Sequence, residues 1–432
     1  MKTCVTIARS LRIALLVLGV GVVGTAIGQP VQRVLLLAQK ERPALLESLK
    51  ELTAFESGSR DLDELDRLAN WLAARFRALG ASVDLIEATE ADTYRLSDTP
   101  ERLGRMVRAT FSGVGKKKIL LLAHMDTVYA KGMHKSQPFR VDGNRAYGLA
   151  IADDRHGIAV ILHALGMLRE LGFNDFGTIT VLINADEEIS SPGSRNQIGR
   201  LGAEHDVVLS FEGGGNPQED QIRLATSGTA RAILTVHGRA SHAGVAPELG
   251  VNALYELAFQ VLQMRDLSDP ATGVKVNWTL ARAGQVSGMI PPEAQASASV
   301  RANRVADFDA VEQRMRDRMK RQLLPEARLE LAFERRFLPL EAKPASRTLG
   351  THAQVIYREL GLELKVREDP SGGATDAANA AVKSSAPVIE GMGLRGYGSH
   401  SIEAEYILVD SIEPRLYLLT RLIMDVAQGK AP

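Results

Sequence analysis

Thiols are all but missing from this chain. Its only cysteine, Cys4, stands before an apolar run, whereas a lipidated cysteine would have to follow one. Once that leader is removed the mature chain has no disulfide and no thiolate ligand. Excess charge is missing too. Lys and Arg number 52, and Asp and Glu number 52, so nothing in the balance points to nucleic acid or to an anionic membrane surface. The apolar run at 13–23 is shorter than the ~20 residues that span a bilayer. Internal repeats and low-complexity tracts are also lacking, which sets aside solenoids and linker-rich chains.

What is present at the start reads as a targeting signal. Lys2, Arg9 and Arg12 precede the apolar run, and Ala26-Ile27-Gly28 offers small residues for cleavage, so residues 1–28 are expected to be a signal peptide. The alternative is an uncleaved membrane anchor. Export of a protein whose ligands are histidines and carboxylates fits an oxidising compartment such as a bacterial periplasm.

At 432 residues the chain exceeds what one core accommodates, so two domains are expected. Residues 31–79 read as mostly helix from the spacing of Leu62, Leu65, Leu68, Ala69 and Leu72. Continuous apolar strands at 118–123, 178–184 and 207–211 then alternate with helical patterns, as in a parallel sheet covered on both faces. Near Thr226 the pattern changes. Strands at 230–237, 274–283, 294–303 and 328–335 and helices at 252–264 and 308–323 run in the order β-α-β-β-α-β, that of a ferredoxin-like unit. The expected fold is therefore α/β: a mostly parallel sheet flanked by helices, at 29–226 and 338–432, with an inserted α+β domain at 227–337. Its sheet would leave an edge exposed, and exposed edges are natural pairing sites.

Most of the chemistry-bearing side chains follow the apolar strands, where open α/β sheets build their sites. His124 and Asp126 end the first. A ligating histidine usually gives its second ring N–H to a carboxylate, although a surface turn also carries His-x-Asp. Asp153 and Asp154 lie just before a helix and could bridge two cations or simply cap the helix. Glu187 and Glu188 end the 178–184 strand. In extended backbone they would point to opposite sides, one to ligate and one to stay free as a base. Glu212 precedes three glycines, and His400 sits in the glycine-rich 396–400 segment, where backbone can approach a ligand closely. Two imidazoles and three ligating carboxylates, with one carboxylate spare, can hold two zinc ions and a hydrolytic water.

Taken together, Leu122-Ala-His-Met-Asp-Thr-Val128, Gly148-Leu-Ala-Ile-Ala-Asp-Asp154, Asp186-Glu-Glu188 with Ser191-Pro-Gly-Ser-Arg195, Ala240-Ser-His-Ala-Gly244 and Val286-Ser-Gly-Met-Ile-Pro291 resemble a known family. It is the zinc metallopeptidase family of glutamate carboxypeptidases, aminoacylases and succinyl-diaminopimelate desuccinylases. The likeness is closest to its bacterial glutamate carboxypeptidase (carboxypeptidase G type) branch and covers nearly all of the mature chain.

The resemblance implies two Zn(2+) per subunit. His124, Asp153 and Glu212 would hold one, and Asp153, Glu188 and His400 the other, with Asp153 bridging. It implies Glu187 as general base, Asp126 as the orienter of His124, and a cis peptide between Asp153 and Asp154. His242, from the inserted domain, would stabilise the oxyanion in the partner subunit of a homodimer. Arg301 would grip the substrate's terminal carboxylate, a task suited to its bidentate fork; a surface salt bridge is the other reading. Glutamate at 212 is similar to the carboxypeptidase and deacylase branch.

Three positions depart from the family pattern. Gly288 replaces a substrate-contacting asparagine. Arg155-His156 replaces Lys-Gly, leaving His156 either at the mouth of the site or facing solvent at a helix start. The second substrate arginine of the glutamate-specific enzymes has no match in place; Arg335 or Arg336 lies nearby. His163 reads as a core helix residue. The expected function is removal of a C-terminal amino acid, glutamate or similar, from N-acyl or peptidyl substrates. An N-acyl amino acid deacylase or dipeptidase, and a silent binding protein on the same fold, are the alternatives.

Overall fold

The protein is described by a computed structural model covering Met1 and residues 29–370, 372–401 and 405–432; the expected signal peptide lies outside the described residues. A six-stranded sheet forms the centre, in the order Ser82–Ile86, Met106–Ser112, Thr178–Asn184, Lys118–His124, Val207–Ser210, Val388–Ile389. The four strands from Thr178–Asn184 onward run parallel. The first two add an antiparallel edge.

Alternation along Lys118–His124 explains the layers. Ile119, Leu121 and Ala123 join one apolar cluster with helices Gln32–Thr53, His156–Glu170 and Ile412–Ala427. Leu120 and Leu122 join another that includes Ile198 and Leu201 of Arg195–Glu204 and Ala377, Ala378 and Ala380 of Asp376–Ala381. A strand buried on both faces is apolar nearly throughout, so its polar residues gather where it ends. His124 is the last residue of that strand.

A second sheet stands apart from the first. Its order is Lys275–Ala283, Glu293–Ala302, Gly228–His237, Arg328–Phe337, antiparallel throughout. Helices Ala253–Gln263 and Val305–Met319 accompany it, giving the β-α-β-β-α-β order read from the sequence. Lys275–Ala283 pairs on one side only. No helix among the described residues is long and apolar enough to cross a membrane.

Candidate metal centre

Strand ends deliver the side chains. His124 closes Lys118–His124, Glu187 and Glu188 follow Thr178–Asn184, and Glu212 comes just after Val207–Ser210, past Phe211. Asp153 enters from the turn before helix His156–Glu170, where the Asp153–Asp154 peptide is cis. The two aspartates divide the readings proposed for them. Asp154 Oδ1 accepts the Gly157 N–H at 3.2 Å, a capping contact, while Asp153 faces the cluster.

The glutamate pair corrects one expectation. Glu187–Ile189 is a 3-10 turn and not extended strand, so backbone alternation does not separate the two side chains. Asp126 holds that turn: its Oδ1 accepts the Glu187 N–H at 3.0 Å and its Oδ2 the Glu188 N–H at 3.1 Å. Asp126 is fully buried and also accepts from Ser59 Oγ at 2.7 Å. It faces His124 Nδ1 at 3.4 Å, which leaves Nε2 for the cluster.

Two trios of donors result, His124–Asp153–Glu212 and Asp153–Glu188–His400, each with ligand atoms within 4.8 Å of one another. Asp153 is common to both. Its Oδ1 lies 2.9 Å from His124 Nε2 and its Oδ2 3.3 Å from His400 Nε2. Glu212 Oε1 is 3.5 Å from His124 Nε2, and Glu188 Oε2 is 3.2 Å from His400 Nε2. One carboxylate with an oxygen in each trio is the arrangement two adjacent cations require.

The electrostatics agree with that fit. Burial first, then Asp153, pushes Glu212 up to about 8. Burial also raises Glu187 well above the usual carboxylate range, with Glu212, Asp376 and Glu188 adding to it. Hydrogen bonds to Asp153 and Glu188 raise His400 to about 10. Against burial, hydrogen bonds from His124 and His400 hold the bridging Asp153 below the usual carboxylate range, so it stays charged between acids that favour protons, a balance that bound cations would shift.

The cluster opens into a cavity of about 590 Å³ lined also by Arg301, Arg336, Arg231, Asp98, Thr229 and Ser297. Arg301 has no acidic partner among the described residues, and partial burial lowers its pKa; the surface-salt-bridge reading is not what the structure shows. Of the two arginines near the end of Arg328–Phe337, Arg336 lines the cavity, whereas Arg335 turns away to Asp309 at 2.5 Å.

His242 is not in this cavity. It is exposed, and its Nδ1 accepts the Gly244 and Val245 N–H groups at 3.1 Å each. In the neutral ring the proton is then on Nε2, a donor facing outward. Gly288 lies beside it, its carbonyl accepting the Ala243 N–H at 2.9 Å. His156 is fully buried, which corrects the solvent-facing reading; its ring packs where a Cβ on Gly393 would sit. His163 is buried in its helix, bonded to Ser48 and Glu41.

Several supporting residues escape sequence reasoning. Glu405 is fully buried and accepts Ala150 N–H at 3.0 Å, Ala152 N–H at 2.9 Å and the Tyr129 hydroxyl at 2.5 Å, fixing the turn that leads to Asp153. Glu390 accepts the Glu212 N–H at 3.1 Å. Arg155, also fully buried, donates to the Met125 carbonyl at 2.7 Å beneath the His124 turn. Isolated acids and arginines in a sequence carry no signal of such roles; only Arg155, through its departure from the family pattern, could have been noticed.

Residues 120–425 match the peptidase family M20/M25/M40. The chain is 42% identical over 410 residues to carboxypeptidase G2 of Pseudomonas sp. (strain RS-16), covering 95% of this chain and 96% of that protein. Among solved structures, a tripeptidase from Staphylococcus aureus superposes with TM-score 0.73 at 19% identity, over 90% of this chain and 99% of the other. A dinuclear metal-binding peptidase from Bacillus subtilis superposes with TM-score 0.64 at 15% identity, over 90% and 99%.

Proposed function

The chain belongs to peptidase family M20/M25/M40, and on that footing we propose that it is a two-zinc exopeptidase that releases a C-terminal amino acid from N-acyl or peptidyl substrates. The observation that carries this reading is the pair of donor trios joined through Asp153, opening on a cavity lined by Arg301, which has no acidic partner among the described residues.

His124, Asp153 and Glu212 would hold one zinc, and Asp153, Glu188 and His400 the other. Bound there, the two cations would polarise the scissile carbonyl and acidify the attacking water. Arg301 receives the free α-carboxylate and so sets which amide faces the cluster. Glu187 belongs to neither trio. It takes the proton from the water and returns it to the departing amine, a role open to a carboxylate that neither trio uses as a ligand. Asp126 keeps His124 in the tautomer that leaves Nε2 free, and holds the turn that carries Glu187.

The segment 227–337 acts as an inserted dimerisation domain. Leu254, Tyr255 and Leu262 lie exposed on its helix Ala253–Gln263, and the edge of Lys275–Ala283 is unpaired, an apolar and backbone surface suited to a second copy. In such a homodimer His242 would donate its Nε2–H to the oxyanion formed in the partner's cavity, with Gly288 beside it. Export to a periplasm after removal of residues 1–28 completes the reading.

Glu187→Gln tests it. Hydrolysis of N-acyl amino acids should fall by at least about a hundredfold, while the protein still binds two zinc ions per chain, measured by metal analysis after dialysis. Retained turnover would remove Glu187 from its role, and loss of both metals would show that it ligates. A panel of acyl-glutamate, other acyl-amino acid and dipeptide substrates separates a glutamate carboxypeptidase from a deacylase or dipeptidase.

A further inference from the structure

Beside the metal centre the cavity wall carries three arginines, Arg231, Arg301 and Arg336, and, among the described residues, only one acid outside the carboxylate cluster, Asp98. Asp98 comes from an irregular stretch between Ser82–Ile86 and Met106–Ser112, far from the second sheet in sequence. It is nonetheless fastened to that sheet. Arg336 Nη1 meets both its oxygens, at 3.0 and 3.2 Å, and Arg231 Nη1 lies 3.3 Å from Oδ2. The preceding residue is fastened too: Ser97 gives its N–H to Glu334 Oε1 at 2.7 Å and its hydroxyl to Oε2 at 3.1 Å. Arg336 is held from its other side by Ser190 Oγ at 2.9 Å, next to the glutamate turn.

The three arginines are thus unequal. Arg301 has no acidic partner among the described residues, whereas Arg231 and Arg336 share the Asp98 carboxylate. A substrate whose α-carboxylate sits on Arg301 meets, elsewhere in the same cavity, an arginine pair already in an ion pair and a fixed negative charge. A second carboxylate on the departing residue must compete with Asp98 for those guanidinium groups and is repelled by it. An uncharged amide of the same shape meets neither difficulty.

We propose that Asp98 is a built-in counter-ion that sets charge selectivity for the side chain of the released amino acid, holding Arg231 and Arg336 so that an acidic side chain is disfavoured relative to its amide. This rests on the exopeptidase reading above and assigns a specificity-determining residue within it.

The experiment compares kcat/KM of zinc-loaded protein on benzoyl-glutamate and benzoyl-glutamine, before and after Asp98→Asn. The substitution should raise the glutamate-to-glutamine ratio about tenfold, the factor expected on removing a like charge roughly 6 Å away at an effective dielectric constant of about 40. Arg231→Gln, which leaves Asp98 in place and removes a cation, should move the ratio the opposite way. It also decides the matter if Asp98→Asn does not fold. Equal losses on both substrates would make Asp98 only a clasp between the two sheets, and that result, or an unchanged ratio in both variants, overturns the inference. Wild-type protein inactive on every acyl-amino acid would instead overturn the exopeptidase reading, and this inference with it.

Discussion

Replacing His156 with leucine should leave stability at neutral pH nearly unchanged and protect the protein in acid. The ring is fully buried; neither nitrogen makes a hydrogen bond, and Nδ1 lies 3.5 Å from the buried Asp154 Oδ1. Burial, the dominant cause, lowers its pKa from 6.5 to about 4. In the unfolded chain the imidazole binds a proton as pH falls through 6.5, while the folded chain resists until about 4. Acid therefore favours unfolding across that window, and above it His156 contributes no pH dependence. At about 1.4 kcal/mol per pH unit the full penalty is about 3 kcal/mol, reached near the lower end. Leucine cannot bind the proton and fills a similar volume. Urea unfolding of metal-free wild type and His156→Leu, from about pH 7 down to about pH 4.5, reads the difference directly. Using metal-free protein for both keeps release of cations from the carboxylate cluster out of the comparison. The gap between the two curves should open steadily below about pH 6.5 in favour of the variant. Parallel curves would show that the histidine is solvated or paired when folded, and the burial argument would fail.

Two further outcomes follow from the same geometry. If His242 serves the partner's cavity, Glu187→Gln and His242→Ala proteins, each nearly inactive alone, should regain about a quarter of wild-type activity when mixed and allowed to exchange subunits, since half the dimers then hold one complete site; mixtures that stay inactive despite exchange, followed by mass spectrometry, would place His242 outside catalysis. Glu405→Leu should cost about 3 kcal/mol or more in urea unfolding at saturating zinc, because it strands the Tyr129 hydroxyl and two backbone N–H donors in a buried turn. A loss no larger than that of an ordinary surface substitution would mean that the turn before Asp153 does not depend on it.

Much of this protein was legible one residue at a time. The apolar strands 118–123 and 178–184 announced themselves because a strand covered on both faces carries few polar residues, so the side chains that end the run at His124, Glu187 and Glu188 marked the site. The β-α-β-β-α-β order of residues 227–337 was equally plain, since alternating strands and amphipathic helices carry different periods. What failed was local. Periodicity cannot see the Asp126 carboxylate that folds Glu187–Ile189 into a turn, and the sequence leaves His156 either at the mouth of the site or facing solvent, because burial of a lone histidine is set by what packs on it.

The sequence by itself determined which side chains could ligate and on which elements they would ride, because hydrophobic period and strand-end chemistry are properties of contiguous residues. Tertiary structure alone decided the rest. It turned the two oxygens of Asp153 toward different histidines, chose Arg336 over Arg335 for the cavity, brought Asp98 across to the second sheet, and set Glu405 under the turn that leads to Asp153. Each of these depends on distances between segments far apart in the chain, and no spacing along the sequence encodes such distances.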